Sequence, residues 1–151
     1  MLPKYHILSG LLLALALFLF YDISYLQALI VFLAAFLIDI DHYLLYVIKK
    51  NDGSIKNSMK FFYAKSKEWL KMSIEERKKY KRSIFIFHGI ECWALMYLLY
   101  PIFPWMIFIG YGFALHMALD YIDLFIKREP LIVKFSQLYV YLTNKKKKEF
   151  F

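Results

Sequence analysis

Four apolar runs divide the chain: "YHILSGLLLALALFLFY" over residues 5–21, then 25–48, 83–100 and 105–126, each bounded by charged or turn-forming residues. A bilayer core about 30 Å thick needs roughly 20 apolar residues of helix, so each run predicts a transmembrane span. "DIS" at 22–24 predicts a short turn between the first two spans, and "PIFP" at 101–104 a tight one between the last two. No small-x-small cleavage pattern follows the first run, which therefore reads as a retained helix rather than a signal peptide. Within the polar segment 49–82, Met59, Phe62, Tyr63, Trp69 and Leu70 recur near helical spacing opposite Lys60, Lys67 and Lys71. That is the pattern of a helix lying in a membrane interface. "SIEE" at 73–76 has the form of a capping box and predicts a helix that runs on into the third span. After Pro130, "LIVKFSQLYVYL" predicts a second interfacial helix, with "KKKK" at 145–148 as a solvated basic tail. The expected fold is all-α: one domain, a polytopic four-transmembrane-helix bundle with cytoplasmic amphipathic interfacial helices.

Composition agrees, since 61% hydrophobic and 21% aromatic residues lie well outside the soluble average. Charge then fixes an orientation. The 22–24 and 101–104 turns carry no Lys or Arg, whereas Lys4, twelve basic residues in 49–82 and seven from Lys127 onward account for all twenty. The positive-inside rule predicts a multi-pass protein of the cell (inner) membrane with both termini and the long loop in the cytoplasm. The net charge of +8 is thereby read as membrane topology and attraction to an anionic leaflet, not as a nucleic-acid footprint. Association with a second copy stays open. Cys92 is the one cysteine, so no intramolecular disulfide forms, and the thiol reads as packing.

The candidate chemistry is inside the spans. Their ionisable residues are His6, Asp39, Asp41, His42, His88, Glu91, His116, Asp120 and Asp123, with no Lys or Arg among them. Five charged, unpaired carboxylates at mid-helix would cost on the order of 15 kcal/mol on insertion scales. Histidine and carboxylate are the usual ligands of zinc, manganese and iron, and two divalent cations would offset four of the five charges. Counted from the cytoplasmic ends at about 1.5 Å per residue, all nine fall in the inner half of the bilayer. His88 and Glu91 at i, i+3, His116, Asp120 and Asp123 at i, i+4, i+7, and Asp39 and His42 at i, i+3 each share a helix face. Facing helices with such pairs can hold two metals. Asp41 lies about 160° from Asp39 on a regular helix, which makes it a supporting partner or a sign of local distortion. The expected ligands are His6, Asp39, His42, His88, Glu91, His116 and Asp120, holding one or two divalent ions, zinc first, with manganese, iron or magnesium as alternatives. Asp123, close to Lys127, reads equally as an interfacial ion pair.

His6-x-x-x-Gly10, "DIDH" at 39–42, "FHGIE" at 87–91 and "HMALD" at 116–120 resemble, in that order, the family of small inner-membrane proteins described as membrane-bound metal-dependent hydrolases. The likeness covers most of the chain apart from the basic loop. Ile38 stands where many members have proline, and Gly89 where many have arginine. A more remote likeness is to zinc-dependent phospholipase C. The resemblance implies a metal-dependent hydrolase acting on a phosphoester or phospholipid, with Glu91 or Asp41 as ligand or general base. Two other functions use the same residues: a metal or proton transporter, expected to carry its ligands on broken helices, and a structural protein stapled by a fully ligated metal.

Overall fold

Ser24 starts the second helix of the chain by a reciprocal cap: its Oγ accepts from the Gln27 N–H at 3.3 Å and the Gln27 side chain accepts from the Ser24 N–H at 2.7 Å. It follows the turn where Asp22 adopts a left-handed φ of 53° and the first helix ends. In the computed structural model, which describes residues 3–150, the elements run α1 (Pro3–Phe20), α2 (Tyr25–Leu37), α3 (Ile40–Lys50), α4 (Ile55–Lys71), α5 (Ile74–Arg77), α6 (Ile90–Leu99), α7 (Met106–Ile126), α8 (Ile132–Phe135) and α9 (Gln137–Asn144). No strand forms among the described residues beyond an isolated bridge between Tyr80 and Lys148.

Small residues let α1, α2 and α7 approach closely. A Cβ on Gly10 of α1 would lie 2.6 Å from the Ala35 Cβ of α2, and one on Gly112 of α7 would meet the Val31 carbonyl at 2.5 Å and the Ala34 Cβ at 2.7 Å. Any larger side chain would push these backbones apart, so the two glycines set the spacing of the polar layer beside them. Ala34, Ile38, Met96, Phe113 and Met117 form a buried apolar cluster. The outside is as apolar as the inside. On α1 the buried face is His6, Gly10 and Ala14, while Leu8, Leu12, Leu15 and Leu19 are exposed. A water-soluble helix would show the reverse distribution.

By length and composition, α1 and α7 can each cross a membrane, and α2 with α3 makes a third span if the pair, bent by 41° at its junction, is counted as one. The sequence predicts four continuous spans. The third run, 83–100, is helical only over Ile90–Leu99, about 15 Å of helix and half a bilayer core. The segment before it is an irregular strap whose backbone bonds to side chains. Asn144 accepts from the Arg82 N–H and donates to the Arg82 carbonyl, Gln137 accepts from the Phe85 N–H, and Asp41 accepts from the Phe87 N–H. These side chains take the place of a helical ladder for the backbone of Arg82, Phe85 and Phe87.

Other local expectations divide in the same way. The Ser73–Glu76 capping box is present, yet its helix is the four-residue α5 and does not continue into the third run. Arg77, buried, turns inward instead: it donates to the carbonyls of Trp69, Leu70, Met72 and Lys127 and to Glu129 Oε1 at 3.0 Å. The predicted C-terminal helix is split into α8 and α9 by Ser136, whose extended backbone (φ −137°, ψ 119°) starts α9. The basic tail is docked: Lys148 exchanges backbone hydrogen bonds with Lys79 and Lys81, Glu149 pairs with Lys81 at 2.6 Å, and Phe150 packs edge-on against Trp69 and Tyr80.

The α3–α4 turn offers a pH-dependent handle outside the spans. Asp52 accepts from the Tyr46 hydroxyl, from Asn57 Nδ2 at 2.9 Å and from the Ser54 N–H at 2.9 Å, and these bonds hold its carboxyl below the usual carboxylate range. A folded-state pKa below the unfolded one contributes stability that is present above the ordinary value, near 3.9, and is lost as pH falls through the folded value. Asp52→Asn should therefore lower the melting temperature in detergent at pH 7, and the gap from wild type should close as the buffer is acidified below about pH 4. A gap independent of pH would contradict this role.

Candidate metal centre

The centre is organised by the break between α2 and α3. The Asp39 N–H bonds to the Phe36 carbonyl at 3.3 Å, not to Ala35 as a regular i−4 ladder requires. The Ala35 carbonyl thus freed faces His116 Nδ1 of α7 at 2.8 Å. The break also turns both aspartates onto one histidine. Asp39 Oδ1 lies 3.3 Å from His88 Nε2, and Asp41 Oδ2 lies 3.0 Å from His88 Nδ1. On a straight helix the two carboxylates would diverge.

For a neutral ring the shorter contact sets the tautomer. A carbonyl oxygen only accepts, so His116 carries its proton on Nδ1; a carboxylate only accepts, so His88 does likewise toward Asp41. Each neutral ring is then left with a lone pair on Nε2. Those two Nε2 atoms are 3.2 Å apart, so a shared proton or a metal ion between them relieves the repulsion of the lone pairs. Two carboxylate oxygens join them: Asp39 Oδ1 at 3.3 and 3.5 Å from the His88 and His116 Nε2 atoms, and Asp120 Oδ2 at 3.5 and 3.3 Å. A tetrahedral ion with bonds of about 2.0–2.1 Å has ligand–ligand edges of about 3.3–3.4 Å. These five separations are close to the edges of such a tetrahedron, so the residues could hold a metal ion, and each ring's outer N–H has the carboxylate or carbonyl partner that metal-bound histidines use.

Three overlapping groups can hold an ion: His88, His116 and Asp120; Asp39, His42 and His88; and His6, Asp39 and His116. His6 is buried, stacked on His116 with ring centroids 3.9 Å apart, and its Nε2 is 3.6 Å from Asp120 Oδ1. Neither of its nitrogens has a hydrogen-bond partner among the described residues, a costly state for buried imidazole. His42 Nδ1 faces Asp41 Oδ1 at 2.9 Å and Asp39 Oδ1 at 3.3 Å, and its ring stacks on Phe85 at 3.7 Å. Asp41 accepts from both histidines and from the Phe87 N–H, so it orients His88 and His42 and is not itself grouped with the ligand atoms.

Glu91 corrects the expectation drawn from spacing. His88 precedes Gly89, the N-cap of α6, so His88 and Glu91 do not share a helical face. The Glu91 carboxylate accepts from Ser136 Oγ at 2.6 Å and from the N–H groups of Gln137 at 3.1 Å and Leu138 at 3.0 Å. It binds the first turn of α9, where a negative charge meets the positive helix end, and belongs to none of the three groups. Asp123 pairs with Lys127 at 2.5 Å.

Sequence reading overlooks three contributors. Lys134 of α8 donates to Asp120 Oδ2 at 2.8 Å, bringing a cation into the layer. Gln137, buried, holds the strap that carries His88 through the His88 carbonyl and the Phe85 N–H. Ser136 anchors Glu91. The available signal is that Lys134, Ser136 and Gln137 interrupt the otherwise apolar run 131–142.

No family model, curated protein or solved structure matches the chain. Asp41→Asn tests the orienting role: metal affinity should fall roughly 10- to 100-fold with the fold retained, as read by chelator competition. Unchanged affinity would remove Asp41 from the centre.

Proposed function

We propose that the chain is a membrane-embedded metal-dependent hydrolase, with zinc as resident ion, acting on a phosphoester at the level of the cytoplasmic head groups. The observation that carries this reading is the convergence of two Nε2 lone pairs with Asp39 Oδ1 and Asp120 Oδ2. His88, His116, Asp39 and Asp120 would hold the ion, and His6 is placed to join a second. When bound, the ion lowers the pKa of a coordinated water towards 7 and polarises the phosphoryl oxygen.

The chain's own residues supply the rest. Asp41 accepts the Nδ1–H of His42 at 2.9 Å, which leaves Nε2 of that ring as a base, in the manner of an Asp–His dyad. Lys134 neutralises Asp120 and adds positive charge beside the place an anionic ester would occupy. The Asp39 and His42 side chains keep 25% and 26% exposure, so the cluster has an open side. A purely structural metal would be enclosed by its ligands.

A turnover screen with soluble phosphoesters and phospholipids, with zinc and with chelator, tests the reading. Metal-dependent turnover should fall about 10²- to 10⁴-fold in His42→Ala while metal is retained. Failure of every substrate, or turnover indifferent to His42, would overturn it. A second reading, metal transport, is favoured by the bend between α2 and α3 at the ligands. Asp39-dependent zinc uptake into proteoliposomes, without turnover, would establish that alternative.

A further inference from the structure

Spacing alone groups Met59, Phe62, Tyr63, Trp69 and Leu70 on one apolar face, but the fold divides that face in two. Phe62 meets the His42 ring edge-on at 5.6 Å, Phe61 packs against Tyr46 at 5.5 Å, and Trp69 Nε1 donates to Glu129 at 2.7 Å. These residues, with buried Ser58, hold α4 to the bundle. Ile55, Met59, Tyr63 and Leu70 are left outside, each at least 40% exposed. They fall within about 80° of arc at about 100° per residue, and Lys56, Lys60, Lys67 and Lys71 form an exposed row along one edge of that stripe. Lys67 Nζ sits 4.6 Å from the Tyr63 ring centroid, so the two rows touch. Glu68, the one acid of α4, lies beyond the lysine row and pairs with Lys65 at 2.6 Å.

Both ends of α4 are fixed at the ends of other helices. Ile55 follows Lys50, the end of α3, across the turn 51–54, which the Tyr43 hydroxyl closes by donating to the Gly53 carbonyl at 2.8 Å. The last turn is tied through Trp69 to Glu129, just beyond the end of α7 at Ile126. α3 runs away from Asp39 and α7 away from Asp120, two carboxylates that meet the same histidine, so Lys50 and Ile126 lie on one side of that layer. α7 is long and apolar enough to cross a membrane, and so is the α2–α3 pair taken as one bent span. A helix about 25 Å long strung between two such ends runs across the face where the spans leave the membrane.

We infer that α4 is an interfacial anchor: the stripe of Ile55, Met59, Tyr63 and Leu70 enters the acyl boundary of an anionic leaflet, and the lysine row pairs with the lipid phosphates. This stands on α4 alone and holds whether or not the metal centre is catalytic. Stripe and row together select the occupant. Apolar side chains edged by lysine match a surface that is apolar below and negative at its rim. A second copy seated on the stripe would bring two lysine rows together with no acid between them. A nucleic acid would meet the lysines and leave the apolar stripe in water.

The test places a bimane fluorophore on Met59→Cys, Leu70→Cys or Ala64→Cys of the full-length chain, in a Cys92→Ala background and in mixed phosphatidylglycerol and phosphatidylcholine vesicles. Quenching by aqueous iodide is compared with quenching by either lipid carrying a nitroxide on its acyl chain. Labels at Met59→Cys and Leu70→Cys should be shielded from iodide and quenched by the nitroxide. The label at Ala64→Cys, exposed on the far side of the lysine row, should show the reverse. Around Met59→Cys, phosphatidylglycerol should be enriched over phosphatidylcholine roughly fivefold, the preference that one lysine near an anionic surface confers. Adding Lys56→Gln, Lys60→Gln and Lys67→Gln together should bring that ratio to parity. Iodide reaching Met59→Cys and Leu70→Cys as freely as Ala64→Cys, or equal quenching by the two lipids with the lysines intact, would overturn the anchor. So would disulfide crosslinking of Met59→Cys between two chains.

Discussion

Replacing Asp39 with alanine is expected to remove metal from the protein and turnover with it. Asp39 Oδ1 lies 3.3 Å from His42 Nδ1, 3.3 Å from His88 Nε2 and 3.5 Å from His116 Nε2, and Asp39 is common to two of the three ligand groups. Its loss leaves the two Nε2 lone pairs facing each other with Asp120 as the remaining carboxylate on that cluster. Removing a partner that merely orients a ligand costs about 10- to 100-fold in affinity, so removing a ligand should cost more than about 100-fold. Chelator competition on the purified variant measures this. Asp123→Ala is the matched control, because Asp123 pairs with Lys127 and lies outside the three groups; its affinity should equal that of wild type. An Asp39→Ala protein that holds zinc as wild type does would exclude Asp39 from the centre.

The largest expected effect on stability is at Glu129. Its carboxylate accepts from Arg77 Nη1 at 3.0 Å, from Arg82 Nη2 at 2.6 Å and from Trp69 Nε1 at 2.7 Å, and its side chain is 5% exposed. One residue thereby joins the end of α4, α5, the strap and the end of α7. Glu129→Ala would leave Arg77, itself mostly buried, beside Arg82 with no anion between them. Breaking a buried pair by removing one partner costs about 3–5 kcal/mol. Denaturant unfolding in detergent should show a loss of this size, and Glu129→Gln, which keeps an acceptor, should lose less. A loss within about 0.5 kcal/mol, as for ordinary surface positions, would mean the network contributes little.

What the sequence disclosed and what it hid have separate physical causes. His6, Asp39, His88, His116 and Asp120 were legible because ionisable groups are costly in an apolar run, so hydropathy marks them one by one. The first and last long helices were legible for the complementary reason. The break at Asp39 was not, since neither glycine nor proline marks it. It is held by partners distant in sequence, the Ala35 carbonyl with His116 and the two aspartates with His88. The third run misled for the same reason: its residues are apolar enough for a span, but Asn144, Gln137 and Asp41 bind the backbone of Arg82, Phe85 and Phe87 from 46 to 62 positions away. Glu91 then falls outside the cluster because the spacing rule that paired it with His88 presumes a helix that begins two residues later. Lys134 was hidden by abundance, one cation among many whose ordinary role is to anchor a chain at a membrane surface.

Elemental analysis of the wild-type protein, purified without chelator and with zinc in the growth medium, tests the central claim most directly. The account predicts one or two zinc ions per chain, lost in His88→Ala and His116→Ala and retained in Glu91→Ala, whose carboxylate serves α9. Wild-type protein without stoichiometric metal, or a Glu91→Ala protein that loses it while still folded, would contradict the account.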